Sequence, residues 1–325
     1  MAGARLFLIA LLAAFSLAGC TDVRPTTKIG LIAPFEGLYR RSGYEALAAM
    51  RAAITDAAIA ETPSGPVGVL PLALDDGGNP AQAQRALEKL LVSSDVGAIV
   101  GPLSPALAAA VGERPPSAAP PSATPPRFAP FALPNATGST AAPDDDAWAA
   151  PLVQTVGSYA AAHGAQALVL AGWTAGWPNY TAAQWSELVG LPVRLSDDPA
   201  TVVGGEAVMW LGAPDTGAAY LTALRARQPD AEFWLGPAGG DPVFAERAAT
   251  HERVHWVVWT DDDYNAWAAA HAPSTPSAYL VYRATQAALR KSVGPANAKL
   301  PPPTWRVQAY TLGADGRASL FNPAP

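Results

Sequence analysis

Ser104 is the side chain of this chain that is best placed to bind a small ligand. It follows an apolar segment, Val96–Val100, that is typical of a buried strand, and it precedes Pro105. A serine followed by a proline predicts the N-cap and the first residue of a helix. The hydroxyl and the free N–H groups at such a helix start suit a carboxylate. The alternative is that Ser104 only caps its own helix.

Aromatic side chains follow a second apolar segment, residues 167–171. Trp173 and Trp177 come soon after this segment, and Tyr180 lies a little further on. All ten tryptophans lie at Trp148 or later, so the two halves of the chain differ in chemistry. Aromatic faces suit apolar groups or cations, which makes these residues candidates for the wall of a ligand site. A place in the hydrophobic core is the alternative for each of them.

Two acidic runs, residues 144–146 and 261–263, raise the question of a calcium site. Each run lies just before a predicted helix, where the macrodipole favours carboxylates, and Thr260 with Asp263 fits a capping box. The four histidines show no metal-ligand spacing, and Cys20 is the only cysteine. We therefore predict no metal site and no cofactor.

The motifs of common enzyme classes are missing from the sequence. No Gly-x-Gly-x-x-Gly follows the first strand, and there is no Gly-x-Ser-x-Gly elbow and no cysteine nucleophile after Cys20. The formal net charge is −6 and the lysines and arginines are scattered, which argues against a nucleic-acid partner. We predict a binding protein and not an enzyme.

The first twenty residues are typical of an export signal. Arg5 supplies a positive charge, residues 6–17 are almost entirely apolar, and the run ends in Leu17-Ala18-Gly19-Cys20. Such a run is too short for a settled membrane span. A cysteine just after small residues resembles the lipobox of bacterial lipoproteins. A spare buried thiol in a plain signal peptide is the alternative.

The lipobox implies how the mature chain begins. We expect a signal peptide over residues 1–19, lipid on Cys20 and a polar tether over residues 20–26. Two or more acyl chains are needed for stable anchoring, and a lipidated cysteine would carry them. The mature protein is therefore expected to lie outside the cytoplasmic membrane, anchored by lipid.

Predicted strands and helices alternate along the rest of the chain and position the candidate residues. Strands are predicted at 28–34, 67–74, 96–100, 167–171, 207–211, 233–235, 255–259 and 305–311, and helices at 44–60, 81–91, after Pro105, and at 151–163, 182–189, 217–227, 241–249 and 277–291. This alternation predicts parallel strands with helices on both faces. Residues 115–134, rich in proline and alanine, are predicted to form an extended loop between two such series. We predict an α/β protein with two doubly wound, Rossmann-like lobes.

Five segments carry a resemblance to a known family. They are residues 28–37, 74–80, 96–104, 134–137 and 235–242. In order and spacing they resemble the type I periplasmic solute-binding proteins, in particular the branched-chain amino-acid-binding subgroup. The resemblance covers almost the whole mature chain.

The resemblance implies two lobes joined by a three-strand hinge, with the ligand held in the cleft between them. We place the first lobe in residues 27–149 plus 260–298 and the second in residues 150–259 plus 299–325. Closure of the lobes about the hinge would trap the ligand.

The family also implies which residues hold a carboxylate. Asn135, Ala136 and Thr137 match a segment whose backbone N–H and threonine hydroxyl bind it together with the serine that corresponds to Ser104. An ordinary turn is the alternative for this segment.

Four further residues are candidates for the wall of the cleft. Trp177 stands where relatives have a tyrosine that covers the ligand, and Trp173 is a weaker candidate beside it. Tyr39 and Ser42 lie in the first strand–helix loop, where the family often has an aromatic side chain.

The chain departs from the family where amino-acid binders place a carboxylate for the ligand's ammonium group. Ala238 stands at that position, and Asp241, three residues further on, is more simply a helix N-cap. Gly212 or Ala213 replaces the second cleft tyrosine. Because a buried ammonium without a partner costs several kcal/mol, we predict a ligand other than an α-amino acid.

These observations together predict a monomeric, lipid-anchored solute-binding protein. It would capture a small organic ligand, amino-acid-like, a carboxylate or an amide, and deliver it to an ABC permease. The alternative is a ligand-sensing regulatory lipoprotein on the same fold, and the fold alone does not separate the two.

Overall fold

The computed structural model describes residues 26–57, 60–62, 65–112, 124–135, 148–271, 275–293 and 304–321. Cys20, the predicted signal peptide and residues 21–25 of the predicted tether lie outside the described residues, as do Ala136, Thr137 and the acidic run 144–146. Thr26, predicted as the last residue of the tether, is instead the first residue of a strand that pairs with Gly68. Among the helices that are described, none is long and apolar enough to span a membrane.

The first sheet has five strands in the described part of the chain. Its elements and the helices between them are β1 (Thr26–Ala33), α1 (Arg40–Asp56), β2 (Ala60–Thr62), β3 (Gly65–Asp75), α2 (Pro80–Val92), β4 (Val96–Val100), α3 (Pro105–Gly112) and β5 (Arg127–Phe128). The strand order is β2-β3-β1-β4-β5. Every pairing is parallel except the short antiparallel pair of β2 and β3.

The second sheet has seven strands among the described residues. Its elements, together with the two helices that follow β10, are α4 (Ala150–Ala162), β6 (Ala167–Ala171), α5 (Ala182–Val189), β7 (Val193–Leu195), β8 (Glu206–Trp210), α6 (Pro214–Arg225), β9 (Phe233–Leu235), α7 (Pro242–Arg247), β10 (Val254–Thr260), α8 (Tyr264–Ala270), α9 (Pro276–Val293), β11 (Arg306–Leu312) and β12 (Ala318–Leu320). The strand order is β12-β11-β10-β9-β8-β6-β7, parallel from β10 to β7 and antiparallel from β10 to β12.

Helix α9 connects the two sheets in space. It follows β10 of the second sheet, yet it packs against α1 and β4 of the first. The Tyr282 hydroxyl of α9 donates a hydrogen bond to the Asp56 carboxylate at the end of α1, over 2.9 Å. We call the five-stranded sheet with α1–α3 and α9 the first lobe, and the seven-stranded sheet with α4–α7 the second lobe. The boundaries after residues 149, 259 and 298 stay a prediction.

Strand β1 shows why these segments form parallel sheets. Its run Ile29–Ala33 is buried at every position, as expected for a strand covered by helices on both faces. Successive side chains of a strand point to opposite faces. Ile29 and Leu31 accordingly join the core shared with α1 and α9, whereas Ile32 packs with Leu87 of α2.

Helix α1 begins earlier than the predicted Tyr44. It starts at Arg40, with Tyr39 at its N-cap position, so Ser42 lies in the first helical turn and not in the preceding loop. The first turns of α1 lie directly against the backbone that follows β1. Gly43 makes this approach possible, because a Cβ at this position would lie 1.9 Å from the carbonyl oxygen of Pro34. The predicted start of the helix was too late because Arg40, Arg41 and Ser42 are polar and do not show the apolar spacing of the rest of the helix.

The predicted loop 115–134 contains regular structure near its end. Arg127 and Phe128 form β5, which pairs in parallel with Ile99 and Val100 at the edge of the first sheet. A 3₁₀ helix follows over Pro130–Asn135. Prolines are compatible with an edge strand because one of its sides needs no N–H donors. Burial of Phe128 stabilises the strand.

The predicted capping box of Thr260 and Asp263 is wrong. The Thr260 hydroxyl donates to Gln308 of β11, and the Asp263 side chain does not cap α8. Asp263 instead pairs with Arg283 of α9 over 2.6 Å, and the buried Asp261 pairs with the same guanidinium over 2.7 Å. The acidic run therefore supplies the carboxylates of an ion pair with the buried Arg283. The local sequence pattern did not predict this pair, because Arg283 lies on a different helix.

Candidate functional site

The strand orders place a crevice at the carboxyl edge of each sheet. In the first sheet the winding direction reverses between β1 and β4, and in the second it reverses between β6 and β8. Ligands of doubly wound sheets bind beyond the carboxyl ends of the strands at such switch points. The loops after these four strands are therefore the expected walls of a binding site.

A cavity of about 360 Å³ lies between the lobes where these four loops meet. Its walls include Pro34 after β1, Ser104 after β4, Trp177 after β6 and Leu211 after β8. Its size falls in the range of small-molecule sites, about 300–1,000 Å³. Most of the lining residues are apolar, as is usual for such sites.

The charged groups of the cavity wall are all acidic. Asp76 and Asp241 line the cavity, whereas no lysine, arginine or histidine does so among the described residues. No group of acidic, histidine or cysteine side chains in the described part of the chain is arranged to hold a metal ion. The cavity is thus a largely apolar chamber with two carboxyl groups in its wall.

Ser104 caps α3 and lines the cavity at the same time. Its hydroxyl oxygen accepts a hydrogen bond from the N–H of Leu107 over 3.2 Å, which confirms the predicted N-cap. The capping bond uses the oxygen as an acceptor, so the hydroxyl proton can still be donated to a ligand. Ser104 can therefore cap its own helix and donate a hydrogen bond to a ligand at the same time.

Tyr39 and Ser42 reach across the cavity to the second lobe. The Tyr39 hydroxyl donates to Asp215 of α6 over 2.5 Å, and the Ser42 hydroxyl donates to Asp241 over 2.5 Å. Burial and the neighbouring Asp215 carboxylate raise the pKa of Tyr39, so the phenol keeps its proton and its role as a donor. We call these two hydrogen bonds the inter-lobe latch.

Asp241 has both carboxylate oxygens in use. One accepts from the N–H of Val243 over 2.9 Å and caps α7, as predicted, and the other accepts from Ser42. Burial raises the pKa of Asp241, while these two donors act in the opposite direction. Ala238 lies on the short 3₁₀ helix Pro237–Gly240 and lines the cavity without a polar group.

Trp177 forms a fixed part of the wall. The residue is only 6% exposed, its indole N–H donates to the carbonyl of Leu211 over 3.1 Å, and its ring lies 4.8 Å from that of Trp148. A Cβ at Gly236 would lie 3.2 Å from the Trp177 ring. These contacts hold the indole in one orientation.

Trp173 is placed differently from Trp177. It is absent from the described lining of the cavity, and its ring packs edge-on against Trp185 of α5 at 6.1 Å. Tyr180 packs against the same Trp185 ring at 4.8 Å. The structure therefore puts both residues in an aromatic cluster beside the site, and separates them from Trp177.

The remaining predicted carboxylate contacts lie at the edge of the described chain. Asn135 ends the 3₁₀ helix that follows β5, and Phe131 of the same helix lines the cavity. Only the backbone of Asn135 belongs to the described part, and Ala136 and Thr137 lie outside it. Their role in binding stays a prediction.

Asp76 is a buried acidic residue of the cavity wall that was not among the predicted site residues. It directly follows β3, its side chain is 0% exposed, and one carboxylate oxygen accepts from the N–H of Gly78 over 2.8 Å. The other oxygen has no hydrogen-bond partner among the described residues. Burial raises its pKa to about 6. Its place directly after a predicted strand, in Asp75-Asp76-Gly77-Gly78, was the available signal.

Two doubly wound α/β lobes that enclose a cavity at their facing switch points define the type I periplasmic binding protein fold. Residues 26–253 match the family model described as periplasmic binding protein, which is more than half of the chain. The chain belongs to this family. No protein in a curated set of sequences is significantly similar to it.

Solved structures share the fold at low sequence identity. A possible leucine/isoleucine/valine-binding protein from Rhodopirellula baltica SH 1 is 15% identical with a TM-score of 0.65, over 93% of this chain and 98% of the other. The branched-chain amino acid transporter substrate-binding protein LivJ from Streptococcus pneumoniae, in complex with isoleucine, is 16% identical with a TM-score of 0.63, over 92% and 100%. An ABC transporter solute-binding protein from R. palustris, in complex with benzoate, is 15% identical with a TM-score of 0.62, over 91% and 95%.

Proposed function

We propose that this protein is an extracytoplasmic solute-binding protein that captures a small organic ligand by lobe closure and presents it to an ABC importer. The observation that carries the proposal is the cavity of about 360 Å³ at the facing switch points of the two lobes. Loops from both lobes build its wall, so a ligand bound there would contact both and favour their approach. The work is reversible capture, with no covalent step.

The solved relatives support transport of a small molecule without fixing which one. One is described as a transporter protein with isoleucine bound and another as a transporter protein with benzoate bound. The two ligands differ in that only the amino acid carries an ammonium group. At about 15% identity these structures share the fold, so the ligand of this chain has to be inferred from its own cavity.

The wall of the cavity argues against branched-chain amino acids. Ala238 offers no partner for an ammonium group, and Asp241 already accepts hydrogen bonds on both oxygens. The proposed ligand is partly apolar, to match Trp177 and Phe131, and is amide-like or carboxylate-like in its polar part. Native mass spectrometry of protein purified gently from its host would identify a retained ligand.

Leucine, isoleucine and valine are expected to bind weakly or not at all. Their ammonium group finds no carboxylate at position 238, and their carboxylate would meet two acidic side chains and no basic one in the described wall, so affinity should fall by about 3–5 kcal/mol relative to a site that pairs both groups. Isothermal titration calorimetry of the ligand-free protein measures this directly. Micromolar binding of any of the three, lost in Asp241→Asn, would show that Asp241 serves as the ammonium partner.

The lipid anchor makes a separate prediction. Cys20→Ala should release the protein from membranes or leave an uncleaved precursor, because the acylated thiol is gone. Membrane fractionation and intact-mass measurement detect both results. Ser16→Ala changes a small residue upstream and should leave processing intact. Normal processing and attachment of the Cys20→Ala variant would rule out the anchor while leaving the ligand-binding proposal untouched.

A further inference from the structure

We propose that Asp76 binds the ligand directly, by accepting a hydrogen bond from a ligand N–H group. The site would then select a small, partly apolar ligand that carries an N–H donor and no carboxylate, such as a primary amide. This assignment rests on the proposed function and narrows its ligand class.

One oxygen of the Asp76 carboxyl group accepts a hydrogen bond from the neighbouring backbone, and the other oxygen accepts none from the described residues. Its backbone N–H donates to the carbonyl of Ala33 over 3.1 Å, which holds the residue against the end of β1 at the switch point. One side-chain oxygen accepts from Gly78, itself a cavity residue. The second oxygen has no partner in the described part of the chain.

An unpaired oxygen on a fully buried carboxyl group is costly. Buried polar atoms in native proteins are nearly always hydrogen-bonded, and exceptions mark functional sites or missing partners. Asp76 is the one described residue that both lines the cavity and carries such an atom. A ligand N–H in the cavity would satisfy it.

The charges of the wall decide which ligand group suits this oxygen. Asp76 and Asp241 are both acidic, and no basic side chain lines the described cavity, so a ligand carboxylate would meet repulsion with no ion pair to offset it. A carboxylate accepts hydrogen bonds and cannot donate them once ionised. A neutral amide supplies the required N–H donor without adding negative charge, and its carbonyl can accept from the Ser104 hydroxyl.

Four matched probes test the assignment with the ligand-free wild-type protein. They are benzamide, N,N-dimethylbenzamide, benzylammonium and benzoate, which keep the ring and change only the polar group. Binding is followed by protein-detected NMR titration to millimolar concentrations. We expect benzamide to bind at least about tenfold more tightly than N,N-dimethylbenzamide and benzoate, the loss that one hydrogen bond to a charged group gives. Tightest binding by benzylammonium would keep Asp76 as the acceptor and change the ligand class to an amine.

Asp76→Asn provides the matched variant. Asparagine keeps an acceptor for Gly78 but turns the unpaired acceptor into a donor, so benzamide affinity should drop at least about tenfold. Its thermal unfolding midpoint without ligand should not fall, because the variant removes a buried charge. Asp198→Asn, at the start of a 3₁₀ helix and outside the described cavity wall, should change neither property.

The outcomes separate this inference from the proposed function. Benzamide binding that is unchanged in Asp76→Asn, or preference for benzoate in the wild type, would overturn the role of Asp76 while a binding site remains. Failure of all four probes, together with no retained ligand in native mass spectrometry, would contradict the proposed function and this assignment with it. The comparison of benzamide with N,N-dimethylbenzamide needs no variant, so it stays decisive if Asp76→Asn folds poorly.

Discussion

Trp177→Ala is expected to destabilise the protein by about 3–5 kcal/mol and to abolish binding of a ligand in the cavity. The indole is only 6% exposed and packs against Trp148, and its N–H holds the carbonyl of Leu211. Its removal would leave a void beyond the carboxyl ends of β6 and β8, beside Trp148 and Leu211, and take away an apolar wall of the site. Urea unfolding and benzamide titration measure the two effects.

Two variants separate packing from hydrogen bonding at this position. Trp177→Phe keeps most of the ring but leaves the Leu211 carbonyl without its donor, so its cost should be smaller, about 1–3 kcal/mol. Trp173→Ala, outside the described wall of the cavity, should reduce stability but change benzamide affinity by less than about threefold, which is the size of a typical indirect effect. Equal binding losses in Trp173→Ala and Trp177→Ala would refute the specific role of Trp177.

The double variant Tyr39→Phe, Ser42→Ala is expected to weaken ligand binding by about 10–100-fold and to shift the protein toward an open form. It removes both hydrogen bonds of the inter-lobe latch, each made to a carboxylate over 2.5 Å. Such bonds contribute about 1.5–3 kcal/mol each when buried, and less here because both sites are partly exposed. Apparent affinity falls with the population of the binding-competent form.

Small-angle X-ray scattering tests the latch directly. The radius of gyration of the ligand-free double variant should exceed that of the wild type, and benzamide should reduce the difference. Arg41→Ala is the control, because Arg41 joins the lobes only through a long, exposed pair with Glu246 at 3.4 Å, and such pairs contribute little. If the double variant had the same scattering and the same affinity as the wild type, the two hydroxyls would not govern closure.

The sequence by itself determined the order and type of most elements. Buried parallel strands such as β1 and β4 are continuous apolar runs, and that pattern is local and strong. The starts of α3 and α7 were equally readable, since Ser104 and Asp241 precede proline and cap the helix that follows. A helix start depends only on a few consecutive residues, so no distant contact is needed to predict it.

The short elements were beyond the local pattern. Strand β5 is two residues long, and Phe128 is held there by pairing with Val100 and by burial. Thr260 fitted a capping box, yet its hydroxyl bonds to Gln308, which is 48 residues away. In both places a contact with a distant segment overrides the local preference.

Only the tertiary structure decided the chemistry of the site. Tyr39 and Asp215 are 176 residues apart, and their hydrogen bond exists because the lobes face each other. Trp173 and Trp177 both follow the same strand and were both candidates for the wall, but of the two only Trp177 lines the described cavity. The unpaired oxygen of Asp76 depends on which groups surround it in space. Pairing and burial are properties of the assembled fold, because they depend on distances between atoms that the chain brings together from remote positions.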